Sequence, residues 1–174
     1  MGCCNQSEAE NNKALKWNST WLVNVCFVLA KLLFHSFYAR SSESRHQNVM
    51  KLFQLCADRE HIEACSLYGH FLLFRGSTKL NKTQGVKYLN VAANGSEVKA
   101  CYQMALIMKN EEYGFPNDSN KVIGLLLTAV KGGNVLAAKE FLAFLSENDL
   151  MDQVSSDQLN EIQQSASLSS IAVQ

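Results

Sequence analysis

With a single proline, Pro116, in 174 residues, almost no position denies the backbone a helical hydrogen bond. Strand-type alternation of apolar and polar residues is equally scarce. Apolar residues instead recur at three- and four-residue spacing, so the expected fold class is all-α. Charge of one sign is missing too: 16 basic residues face 16 acidic ones with no long run of either. Nothing in that balance draws the chain toward nucleic acid. The six cysteines (Cys3, Cys4, Cys26, Cys56, Cys65, Cys101) have neither CxxC spacing nor the close Cys/His grouping of a tetrahedral zinc site. They read as reduced thiols of an intracellular protein, with no metal and no cofactor expected.

Catalytic signatures are lacking as well. No Walker-type loop, GxGxxG, HExxH or GxSxG occurs. The histidines, His35, His46, His61 and His70, are scattered. Glu111 and Glu112 would diverge by about 100° on a helix, which suits a solvated face better than an acid pair. The expectation is a protein that is not an enzyme. Asn-x-Ser/Thr sequons at Asn5, Asn18, Asn81, Asn94 and Asn117 would matter only in the secretory pathway. Three of them fall at predicted turns or caps, where Asn and Ser serve local hydrogen bonds.

What the chain does contain begins with a polar stretch, residues 1–16, expected to be a mobile arm. Its start, Met-Gly-Cys-Cys, places Gly2 where myristoylation occurs and Cys3 and Cys4 where palmitoylation could follow. Position 6 is Gln, with Ser one place late, so the consensus is incomplete. Residues 17–38 then turn strongly apolar. Lys31 sits inside the run, with Asn24 and His35 nearby, which disfavours a membrane span, and sixteen polar residues ahead of it fit a signal peptide poorly. The favoured reading is a buried capping helix with Trp21, Val25, Val28, Leu29, Leu32 and Leu33 on its inward side. Residues 17–45 comprise this helix and a hydrophilic joint.

From residue 46 to 148 the chain repeats itself. Residues 62–76, 98–112 and 135–149 align with Ala64, Ala100 and Ala137 in register, at periods of 36 (100 − 64) and 37 (137 − 100). The second halves align with Ala92 on Ala129 and Gly95 on Gly132, and an earlier half-unit, 48–61, puts Cys56 at the Ala92 position. Self-similarity of this length signals stacked units. Each unit reads as two helices. In the first, Ala64, Leu67, Tyr68, Phe71 and Leu72 form one face of a 3.6-residue period. The second has Asn81 and Asp118 as expected N-caps and Gly95 as an expected left-handed terminator. Small residues at Ala64, Gly69, Ala92, Ala93, Ala100 and Ala105 would let neighbouring helices approach closely.

A period of 36 to 37 with Tyr68-Gly69 inside a first helix, the loop YGFPND containing Gly114, Pro116 and Asp118, and the second-helix ending AANG resembles the Sel-one-like repeat, a relative of the tetratricopeptide repeat. The first unit's loop lacks Val-Pro, and Met104-Ala105 stands where Leu-Gly is usual. The resemblance implies a short right-handed α-solenoid of stacked antiparallel helix pairs. Its structural signature falls on Ala64, Gly69, Ala92, Ala93, Gly95, Ala100, Gly114, Pro116, Asp118, Ala129, Gly132 and Ala137. Residues 149–164 would supply a C-terminal capping helix begun by Ser155 or Ser156, and 165–174 a flexible tail.

NVCFVLAKLLF (24–34) followed by LFQLCADREHIEA (52–64) is also similar to the corresponding pieces of plant F-box proteins that carry such repeats, although the leading Leu-Pro segment of the F-box is absent. The resemblances together imply a non-catalytic adaptor that binds a protein partner on the concave side of its repeats. The alternatives are a substrate-recognition subunit docking a Skp-type adaptor and cullin, or an acylated, membrane-anchored adaptor. A monomer in the cytoplasm or nucleus is expected, at a membrane only if acylated.

Overall fold

The structure, a computed structural model, describes residues 5–36, 42–151, 154, 159–160, 162–164 and 166, with side chains from Thr20 onward. Every regular element among them is helical: α1 (Asn5–His35), α2 (Glu43–Ala57), α3 (Ile62–Arg75), α4 (Lys79–Asn94), α5 (Val98–Lys109), a short 3-10 turn (Glu112–Gly114), α6 (Ser119–Lys131) and α7 (Val135–Glu147). The chain forms two compact units that divide within α3: residues 1–68 and residues 69–174.

In the first unit α1 packs on α2. Helix begins at Asn5, so the expected arm is helical over most of its length. Residues 8–16 contain Glu, Ala, Lys and Leu and no glycine or proline, a composition that continues a helix readily. The face that α1 buries also differs from the one its sequence suggests. Val23, Phe27 and Ala30 are its buried residues, whereas Trp21, Leu22, Val25, Val28, Leu29 and Leu32 are exposed. The helix is apolar on two sides, and the side holding Phe27 wins because the ring fits between Phe53, 6.0 Å away edge-on, and His61, 4.3 Å away. The hydrophilic joint is also shorter than expected, since α2 already starts at Glu43.

In the second unit α4 packs on α5, α5 on α6 and α6 on α7. Ala92, Ala100, Ala129 and Ala137 are fully buried, and Ala93 nearly so. Gly69 of α3 and Gly85 of α4 make a close backbone-to-backbone crossing: a Cβ on either would lie 2.8 Å from the other's carbonyl oxygen. Phe141, Phe144 and Leu145 of α7 are wholly enclosed, with Val154 and Ile162 buried beyond it. Helical backbone at residues 159–160 and 162–164 falls inside the expected C-terminal helix. Its proposed caps Ser155 and Ser156 lie outside the described residues, as does the tail except Ala166.

One joint recurs between second and first helices. At Glu60, Ser96 and Gly133 the backbone turns left-handed, with φ of 59°, 61° and 82°. The next residue's N–H reaches back to a helical carbonyl each time: His61 to Cys56 (3.2 Å), Glu97 to Ala92 (3.1 Å) and Asn134 to Ala129 (3.0 Å). That is the Schellman arrangement, which satisfies carbonyls a helix end leaves open. The same residue's side chain then caps the following helix. His61 Nδ1 accepts from Ala64 N–H (3.2 Å), a Glu97 carboxylate oxygen from Ala100 N–H (2.7 Å), and Asn134 Oδ1 from Ala137 N–H (3.2 Å).

Gly95 and Gly132 have φ of −82° and −77°, so the left-handed residue is the one after each. The cap of α4 is Thr78, whose side chain accepts from Asn81 N–H, so Asn81 lies inside the helix. The thiols serve the same joint: Cys65 donates to the Ala57 carbonyl (3.4 Å) and Cys101 to the Ala93 carbonyl (3.5 Å).

Candidate functional site

The repeat signature itself supplies no chemistry. Ala64, Gly69, Ala92, Ala93, Ala100, Ala129 and Ala137 are interior; Gly95, Gly114, Pro116, Asp118 and Gly132 are exposed at turns, where Asp118 accepts from Lys121 N–H and caps α6. A Cβ on Gly132 would run into Val98 at 2.1 Å, which fixes a small residue there. Gly2, Cys3 and Cys4 lie outside the described residues. Glu111 and Glu112 follow α5 rather than ride on it, because Asn110 ends the helix. No group of three or more His, Cys, Asp or Glu side chains among the described residues could hold a metal ion.

The surface feature of the second unit with chemical variety is an open groove of about 360 Å³ at the loop end of its helix pairs. Phe74 near the end of α3, Lys82 of α4, Gln103 and Leu106 of α5 and Tyr113 of the following turn line it. The geometry follows from local sequence. Phe74 points outward, 64% exposed, because the buried face of α3 runs through Ala64, Cys65, Tyr68 and Leu72 at three- and four-residue spacing. Tyr113 is presented there by a turn in which Glu111 and Tyr113 have φ of 55° and 54°, the left-handed region that costs a side-chain-bearing residue about 1–3 kcal/mol.

Polar groups on the groove and beside it are fixed by cross-helix contacts. The Gln103 amide nitrogen meets His70 Nδ1, while its Oε1 is buried with no hydrogen-bond partner among the described residues. An orphaned buried acceptor is costly to the fold. Nearly two turns further along α5, Lys109 Nζ bridges Glu140 (2.8 Å) and Glu147 (2.9 Å) of α7. These hydrogen bonds, Glu140's first, raise the ammonium's pKa above the ordinary lysine value. The Tyr102 hydroxyl is raised as well, by burial and then by the Glu140 charge.

Sequence reasoning found none of these lining residues. Phe74 and Leu106 sat within the repeats as ordinary apolar residues, and only the aromatic in a glycine-proline loop, Tyr113, carried a visible signal. Cys56 and Cys65 are removed from reactivity by burial: the first thiol is pushed up to about 12, with Cys26 adding to the effect, and the second to about 11. A thiolate is the reactive form, so neither offers a nucleophile near neutral pH. No described helix is long and apolar enough to cross a membrane.

No family profile and no curated protein matches the sequence. The fold is nevertheless familiar: a Sel1 repeat protein from Oxalobacter formigenes superposes with a TM-score of 0.63 at 18% identity, over 80% of this chain and 57% of that one. The chain thus spans little more than half the length of that solved structure. With all-helical pairs joined at a 36- to 37-residue period and this structural likeness, the chain has the Sel1-like repeat fold.

Proposed function

We propose that the chain is a non-enzymatic interaction module whose groove between Phe74, Gln103, Leu106 and Tyr113 takes up a segment of a protein partner. The observation that carries this reading is the exposed aromatic wall of Phe74, set beside Leu106 and Tyr113 along an open groove. An extended peptide supplies the complement, an apolar side chain for Phe74 and Leu106. Stacked helix pairs commonly present such a surface on their concave side. Affinity purification with mass spectrometry tests it on the full chain and on Phe74→Ala, an exposed substitution. Aromatic anchors often carry about 2 kcal/mol, so partner recovery should fall more than tenfold. Equal recovery would remove the groove from consideration.

A second reading rests on the uncovered side of α1. Residues 17–40 would dock a Skp-type adaptor, with cullin beyond it, making the chain a substrate-recognition subunit of a ubiquitin ligase. Those two proteins should then co-purify with the wild type and be lost with Trp21→Ala. Myristoylation of Gly2 with palmitoylation of Cys3 or Cys4 would place α1 at a membrane. Labelling with alkynyl fatty acids, abolished by Gly2→Ala for the myristoyl group, checks it.

A further inference from the structure

We infer that the outward face of α1 is a self-association surface, and that two copies of the chain pair through it as antiparallel helices. Trp21 is 64% exposed and Leu32 63%, with Val25, Val28, Leu22 and Leu29 also uncovered between them. A helix apolar on both sides is normally buried on both. Its inner side is covered by this chain; its outer side is not.

The spacing of the outer face says what fits it. Trp21, Val25, Val28 and Leu32 follow a 4-3-4 interval, the seam spacing of interdigitating helix pairs, and no charge interrupts it. The row is also symmetric about a point between residues 26 and 27. A second copy running the opposite way sets Trp21 against its Leu32 and Val25 against its Val28, so large residues meet medium ones at the ends and short β-branched ones meet at the centre. Parallel pairing would oppose Trp21 to Trp21 and hold the helices too far apart for the valines to touch. Opposed helix dipoles favour the same choice.

Size agrees as well. The six uncovered side chains expose roughly 600 Å² per chain, at the upper limit for the largest patch of an ordinary monomer. Two copies would bury on the order of 1,200 Å², the lower bound for a specific stable interface. A lipid surface fits less well. Of the three lysines of α1, Lys13 and Lys16 precede the apolar row and are matched in number by Glu8 and Glu10, and Lys31 is turned to Glu63 at 3.4 Å, leaving little net charge to draw an anionic headgroup. This association departs from the monomer expected from sequence and is independent of the groove.

Sedimentation equilibrium on the full chain tests it. The mass should rise with concentration from the 19.4 kDa of one copy and stop at two. Val28→Glu and, separately, Val25→Lys should each weaken the dimer by at least about 100-fold, since each buries two like charges at the seam. Circular dichroism of the monomeric forms should match that of the wild type, and their melting temperature should lose the concentration dependence that dimerisation gives the wild type. Mixing the two variants should restore a dimer, as the introduced ammonium of one copy then faces the introduced carboxylate of the other, an encounter that only the antiparallel arrangement provides. A wild type that stays monomeric, or grows past two copies, overturns the inference, as does a dimer indifferent to Val28→Glu. Failure of the mixture overturns the antiparallel pairing. Monomeric wild type that floats with phosphatidylcholine or phosphatidylserine vesicles, or binds a Skp-type adaptor, through these residues would assign the face to that occupant instead.

Discussion

A single methyl group decides whether α3 and α4 can cross as they do. At Gly85 an added Cβ would lie 2.8 Å from the Gly69 oxygen and 2.9 Å from the Leu73 nitrogen, both backbone atoms that cannot swing aside. Overpacking of this kind costs about 1–3 kcal/mol, against which the better helix propensity of alanine returns about 1 kcal/mol at most. Gly85→Ala should therefore lower the urea midpoint, whereas Gly124→Ala, where a Cβ meets nothing, should leave it unchanged or raise it. Thiol chemistry gives a second residue-scale test. Cys56, Cys65 and Cys101 are buried with raised pKa values, so iodoacetamide near neutral pH should spare all three until urea unfolds the chain. Labelling of Cys65 in the native state would contradict the burial described. Sequence marked Gly69 through its Tyr-Gly pair but missed Gly85, because a glycine inside a helix reads as a weak position until the helix crossing it is known.

At the scale of the element, helix ends were partly legible. Asp118 is recognisable as a cap before α6. The caps His61, Glu97 and Asn134 are not, because three different residue types perform one task and only the joint's backbone reveals it. His61 makes that task sensitive to pH. Burial lowers the pKa of its imidazole from the ordinary 6.5, and the neutral ring is the form that accepts from Ala64 N–H. As pH falls, the unfolded chain binds the proton first. The stability contributed is full above about 6.5 and is lost as pH drops through the folded-state value. Denaturant midpoints measured from about pH 7 down to 5 should decline by this component. His61→Asn, which keeps a capping oxygen without a titrating ring, should flatten that part of the curve.

For the molecule as a whole, the repeat period was the strongest sequence signal, and the all-helical chain with its joints at 36 and 37 residues follows it. The misreading of α1 has a physical source. A helix with two apolar sides gives the same periodicity whichever one packs, and only the fit of Phe27 between Phe53 and His61 settles the choice. The groove was not legible because it depends on which residues of different helices end up adjacent. Stability of the second unit should depend heavily on its enclosed aromatics. Phe141→Ala should cost about 3–5 kcal/mol, a large share of the total for a domain, and lower the melting temperature with loss of cooperativity.

The joints at Glu60, Ser96 and Gly133 make each following residue the terminator of one helix and the cap of the next, so a residue inserted there would misplace two helices at once. At the opposite end of the pairs, α3 and α4 are separated by residues 76–78, and α5 and α6 by residues 110–118. The chain can therefore lengthen or change at one end of its helix pairs while the other end stays fixed in size. Tyr113 and Phe74 belong to the variable end. Substitutions there would reshape the groove without disturbing the joints on which the fold depends.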